Sequence, residues 1–236
     1  MTVLLVLFTL ILFLAVDHFV QKRQSSPAVV RSAAHVRSEQ PAQTQVQIPD
    51  GVSLATNHTW MKTNRDGTVT IGLDEFLSRI MGAIKTITIP QSGSKVLSGS
   101  TSFGLGVHGR SLHIALPASG HVVELNTEAL NNPSLVLNDP YGAGWLMRIK
   151  SGERDLAASR QYLVRRPIEW LREQAALVRD FFVMNMQQGV PAMSQEGGLP
   201  TEGVLQQFQT EVWKEFGNAF TVLHPSNEVE VNEARK

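Results

Sequence analysis

The chain has 236 residues, enough for one well-filled core with appendages or for two small cores. Its 21 Lys and Arg balance 21 Asp and Glu, so no global charge favours nucleic acid or an acidic partner. Cysteine is absent, which excludes disulfides, a thiol nucleophile, thiolate metal sites and an iron–sulfur cluster held by this chain.

Residues 2–16, TVLLVLFTLILFLAV, carry no charge, and the apolar stretch continues past Asp17 and His18 to Val20. As a helix it would be roughly 28 Å long, close to the thickness of a bilayer core. A cleavable signal peptide would need a basic start and a small-x-small cleavage site, and both are poorly matched. Residues 1–20 therefore read as a retained transmembrane helix. Lys22, Arg23, Arg31 and Arg37 follow it, which predicts a single-pass protein with the rest of the chain on the cytoplasmic side. Residues 21–51, rich in Gln, Ser, Ala and Pro without apolar periodicity, read as a flexible linker.

A compact domain is predicted over 52–150. The turn Asn64-Arg65-Asp66-Gly67 separates 60–63 from an alternating run at 68–71, a hairpin pattern. In LDEFLSRIMG, Phe76, Leu77, Ile80 and Met81 recur at helical spacing and Gly82 can close the helix. Short strands follow at 84–89, 96–97, 103–107, 111–116 and 121–125, divided by glycine turns and by Pro90. Trp145, Met147 and Ile149 alternate as one more strand. The pattern is mostly β, a small sandwich or barrel with a helix laid against it.

From 151 to 223 the chain reads as helical. Leu156, Leu163, Trp170, Leu177 and Met184 recur every seven positions, beside Val164, Leu171 and Val178. Pro167 kinks this helix or starts a second one. Residues 189–203 read as a loop, 204–223 as a further apolar helix, and 224–236 as a polar tail. Such apolar helices must pack on the β domain, on each other or on a partner.

Several spaced motifs carry a family resemblance. His58-Thr59-Trp60, the helix and strand ending at Pro90, Pro117-Ala118-Ser119-Gly120 and Asn138-Asp139-Pro140-Tyr141-Gly142 with Gly144-Trp145-Leu146 stand at matching intervals. Together residues 57–150 resemble the H-protein of the glycine cleavage system, a lipoyl-bearing shuttle. The resemblance implies a lipoyl-domain-like barrel-sandwich hybrid with a short packed helix. In that family a lysine within an E-S-V-K context sits eight residues before the Pro-x-Ser-Gly turn. Here that position is Gly109, and the glutamate position is Gly106. Glycine has no amine to acylate, and the guanidinium of the adjacent Arg110 is not a substitute acceptor. Lys62, Lys85, Lys95 and Lys150 fall elsewhere in the pattern.

The remaining site candidates have plain readings. Gly104-x-Gly106-x-x-Gly109 enters a strand rather than a helix, so it serves a turn and not a dinucleotide. His113 and His121 lack the spacing of a closed zinc site. Glu124 and Asp139 could form an acid–base pair only with a pocket that the sequence does not define. No catalytic residue, metal or cofactor is assigned. His108 and Arg110 at the hairpin tip, and Trp170 and Trp213 in the helical region, are the candidate partner-binding residues. The expected function is a noncatalytic membrane-tethered binding module, held to the lipid bilayer through residues 2–20. It would dock a cytoplasmic or membrane protein complex through the former carrier face, with no nucleic acid involved. The alternative is a lipoyl-type aminomethyl carrier of glycine cleavage, and a third class is an enzyme whose site uses the C-terminal helices.

Overall fold

The structure, a computed structural model, describes residues 47–185 and 201–226. β1 (Val52–Leu54), β2 (Thr59–Thr63) and β3 (Thr68–Leu73) form an antiparallel meander, which β9 (Met147–Lys150), β8 (Gly120–Leu125) and β5 (Lys95–Val96) extend to six strands. β4 (Thr86–Thr88), β6 (Ser102–Val107) and β7 (Arg110–Ala115) make a second, three-stranded sheet. Alternation sets which faces meet: Phe103, Leu105 and Val107 of β6 and Leu112 and Ile114 of β7 are buried, as are Val69, Ile71, Met147 and Ile149 of the larger sheet. These side chains form one core with helix α1 (Glu75–Met81), whose Phe76, Leu77, Ile80 and Met81 are buried.

α1 starts and stops on local signals. The Asp74 carboxylate accepts from the Leu77 N–H at 2.8 Å as N-cap, and Gly82 takes φ 69° to close the C-terminus. The six-stranded sheet also contains one close approach that only glycine permits. Gly72 pairs with Trp60, and a Cβ there would lie 2.5 Å from the indole. Trp60 is thereby laid flat, with its Nε1–H donating to the Pro140 carbonyl at 3.0 Å.

Two short helices, α2 (Thr127–Asn131) and α3 (Leu135–Asn138), lead into β9. The chain then runs through α4 (Glu153–Ser159) to a segment that binds beside β1. There the Thr56 N–H donates to Tyr162, and the Val164 N–H donates to Leu54. α5 (Pro167–Asn185) begins at its proline, where the missing N–H costs nothing. α6 (Thr210–Phe220) follows a single 3₁₀ turn at Val204–Gln207. Phe182, Phe208, Phe216 and Phe220 stack together, and Phe181 meets Phe182, Phe216 and Phe220 edge-on.

Two expectations are corrected here. The barrel-sandwich hybrid, read as a barrel, does not close: the two sheets are open, ending on β1 and β5 in one and on β4 and β7 in the other. The β1 and β7 edges are instead capped by other parts of the chain, so closure is not needed to satisfy them. The membrane-anchored reading is also overturned. Among the described residues no helix is long and apolar enough to cross a membrane. The 19-residue α5 buries only Leu171, Val178 and Phe182 and carries Glu169, Arg172, Glu173, Arg179 and Asp180 exposed. The expected span at 2–20 lies outside the described residues, as does the linker up to residue 46. The bilayer as a partner, and the single-pass placement with the domain on the cytoplasmic side, are dropped with it.

Candidate functional site

The site is the β6–β7 hairpin. β6 alternates apolar residues with Gly104 and Gly106, whose backbones are not left-handed, so their role is space rather than turn geometry. The His113 ring lies across Gly104, 3.4 Å from where a Cβ would stand. The Thr86 hydroxyl of β4 fills the place of a side chain on Gly106. A glutamate at position 106 would have to displace the Thr86 hydroxyl.

The turn itself has two residues, His108 at φ 48° and Gly109 at φ 78°, between the paired Val107 and Arg110. Two consecutive left-handed residues are the signature of the tightest hairpin, and glycine is the natural second occupant. A Cβ on Gly109 would meet nothing within 4 Å, so the site is open to solvent but carries no amine. His108 is exposed.

Arg110, at the hairpin tip beside His108, is half-buried rather than free in solvent. One of its guanidinium nitrogens donates to the Phe208 carbonyl, the other to the Gln206 carbonyl at 3.0 Å, and its plane lies 5.2 Å from the Trp213 ring. Trp213 is 2% exposed, with its Nε1–H donating to Leu205 at 2.9 Å. The C-terminal segment thus reaches the hairpin, and it also grips α1. The Gly203 N–H donates to the Arg79 carbonyl at 2.7 Å, and Gln206 Nε2 donates to Met81 at 2.7 Å. On the outer edge of β7, the Thr221 carbonyl accepts from Ala115 N–H and the Thr221 hydroxyl donates to the His113 carbonyl.

Trp170, the fourth candidate, lies elsewhere. It stacks 4.8 Å from His58, which is buried at φ 63°, rests on Phe76 and holds Asp74 Oδ2 at 2.8 Å through Nδ1. Asp74 thus serves two neighbours, the helix α1 cap and the imidazole. Sequence reading singled out neither this buried pair nor Gln206 and Phe208, since a carbonyl acceptor leaves no trace in residue type.

No acid–base centre forms from the sequence candidates. Glu124 pairs with Arg148 at 2.5 Å, and the Asp139 carboxylate accepts from the Gly142 and Ala143 N–H groups. A cleft of about 360 Å³ adjoins Glu75, Arg79, Asp139, Tyr141 and Glu202. Its phenol is pushed well above the usual tyrosine range, first by burial and then by the charge of Asp74, so it holds its proton rather than acting as a base. His113 lies on β7 and His121 on β8, in different sheets. Among the described residues no group of three or more His, Asp or Glu is placed to hold a metal.

Comparison with known proteins supplies the frame for this geometry. A family profile described as "Glycine cleavage H-protein" matches residues 52–166. The glycine cleavage system H protein of Pseudoalteromonas atlantica is 32% identical over 108 residues, covering 46% of this chain and 84% of the relative. That of Idiomarina loihiensis is 34% identical over 106 residues, covering 45% and 82%. A crystal structure of the H protein from Mycobacterium marinum aligns at 27% identity and a TM-score of 0.45, covering 54% of this chain and 99% of that one.

Proposed function

The chain belongs to the glycine cleavage system H-protein family, whose members carry rather than catalyse, and from that premise we propose an H-protein-type carrier or scaffold whose working part is the β6–β7 hairpin. It is not an enzyme. The membrane-tethered form of the scaffold reading is replaced, because the family match supports the carrier line and no described helix spans a bilayer. The observation that carries the reading is the extent of the match: it spans 84% of a whole H protein, and the family profile covers residues 52–166, which contain the hairpin and both sheets. In this reading the body presents the hairpin to other glycine cleavage proteins, and residues 203–221 brace it.

Carriage in the strict sense needs an amine for amide formation, and Gly109 supplies none. Lys85 is the exposed lysine whose own backbone joins the hairpin, its N–H donating to the Gly106 carbonyl at 2.8 Å. Coexpression with a lipoate ligase followed by intact mass decides between the two forms. An octanoyl or lipoyl increment mapped to a lysine establishes a carrier. An unmodified chain that forms a complex with purified glycine cleavage proteins on size exclusion is a scaffold. An unmodified chain that binds none of them ends the proposal. Gly109→Lys, placed where no atom obstructs it, is expected to gain the increment and serves as the positive control.

A further inference from the structure

We infer that residues 203–221 are a strap that holds the hairpin in one conformation, and that Arg110 is its latch. The left-handed pair His108–Gly109 and the β6–β7 ladder close the hairpin, but neither places the Arg110 side chain. The turn contributes one exposed histidine and one glycine, and no side-chain hydrogen bond of its own is seen among the described residues. The strap supplies what the turn lacks. It offers two backbone carbonyls, those of Gln206 and Phe208, to the two ends of one guanidinium, and the Trp213 face to its plane. A planar fork places one donor on each of the two acceptors while its face stays available to the indole, a geometry a lysine ammonium does not reproduce.

The strap is fastened at both ends, which makes the latch more than a chance contact. Its start is tied to the C-terminus of α1 through Gly203 and Gln206, where Gly82 and Gly203 come so close that a Cβ on Gly82 would stand 2.7 Å from Gly203 Cα. Its end, Thr221, covers the β7 edge with two hydrogen bonds. Between them Phe208, Phe216 and Phe220 join the aromatic cluster, and Trp213 is buried under the Arg110 guanidinium. Engaged, the strap hides an edge strand and fixes the position of the hairpin turn. Released, it would free the turn and expose the β7 edge for pairing with a partner's extended segment. The strap therefore controls how the hairpin is presented. That consequence rests on the hairpin being the working part, whereas the latch itself does not.

Trypsin reads the latch directly, because the bond after Arg110 lies in the hairpin and the arginine is engaged by the strap. Arg110→Lys keeps a cleavable residue and the charge but loses the fork. Cleavage after position 110 in the full chain is expected to rise tenfold or more, with hydrogen-exchange protection lost across 204–208. Cleavage after Lys62 and Arg148, both in the six-stranded sheet, should stay at the wild-type rate. Trp213→Leu, which leaves Arg110 intact, should do the same. Wild-type cleavage after position 110 in both variants would overturn the proposal. So would equal acceleration at all three sites, since the segment would then be holding the whole body. Binding and mass results on the wild-type chain bear on the carrier or scaffold reading alone, so the two can fail separately.

Discussion

Among the tight turns that link neighbouring antiparallel strands, 64–67 between β2 and β3 contrasts with 108–109 between β6 and β7. Each has a glycine at nearly the same backbone angle, φ 77° at Gly67 and φ 78° at Gly109. The first is sustained mainly by its own residues, with one outside bond from Lys150 Nζ to the Asp66 carbonyl at 3.1 Å. Asn64 Nδ2 donates to the Thr68 and Thr70 hydroxyls, Asp66 accepts from both the N–H and the hydroxyl of Thr68, and the Gly67 N–H returns to Asn64. The second draws its support from acceptors 96 and 98 residues away. A turn that holds itself can be solvated on every side without losing shape. A turn held from a distance can be set or released by whatever acts on its support, which suits a presenting element.

The largest expected effect separates the two directly. Arg110→Met removes a charged donor from two partly buried carbonyls and should destabilise the chain by about 2 kcal/mol, the cost typical of losing charge-assisted bonds at such acceptors. Denaturant unfolding measures it, and hydrogen exchange should localise the change to β6–β7 and 204–208. An equal loss with exchange spread over β1–β3 would show that the two hairpins share one support.

This contrast also explains what could be read from residue order. The β2–β3 turn and α1 were legible because their signals are local: Asn-x-Asp-Gly with flanking alternation in one, a helical period closed by Gly82 in the other. The bend of Arg110 toward Gln206 and Phe208 was not, since backbone carbonyls are common to every residue. The heptad row misled for a related reason. Leu177 and Met184 of the row are 55% and 84% exposed, whereas Leu171 and Val178 beside it are buried with Phe182. The chain leaves helical geometry between Tyr162 and Pro167 to pair beside β1, so the helical phase restarts and the row before the break says nothing about the row after it. β1, α2 and α3, of three to five residues, are too short to show any period. Within the candidate site, the missing lysine was visible at once. That Thr86 fills the volume over Gly106 required the pairing of β4 with β6.

A smaller effect tests whether the turns differ only in their support. Gly67→Ala and Gly109→Ala place a Cβ in the same left-handed geometry, and each should cost about 1 kcal/mol from backbone strain. Space is open at Gly109 and bounded at Gly67 only by the flexible Lys150 ammonium group, so sterics should not separate them. Chemical denaturation should give the pair values within a few tenths of a kcal/mol of one another. A much larger loss at Gly109 would mean that the strap demands a turn geometry stricter than the hairpin alone.

The smallest effect is confined to the self-supporting turn and appears in its titration. The Thr68 hydroxyl, followed by the Thr68 N–H, holds the Asp66 carboxyl below its ordinary value of 3.8. A carboxyl depressed on folding adds stability above the unfolded value, and that contribution is lost as pH falls through the lower folded value. The pH window therefore lies below 3.8, and the sign is acid destabilisation. In a carboxyl-detected NMR titration the wild-type Asp66 midpoint should fall below 3.8, and Thr68→Val should move it upward. The β6–β7 turn has no carboxylate and should show no acid-dependent change in its amide shifts over the same range. If its shifts follow Asp66, the two turns are coupled through the body, and the division between a turn that holds itself and one that is held would have to be abandoned.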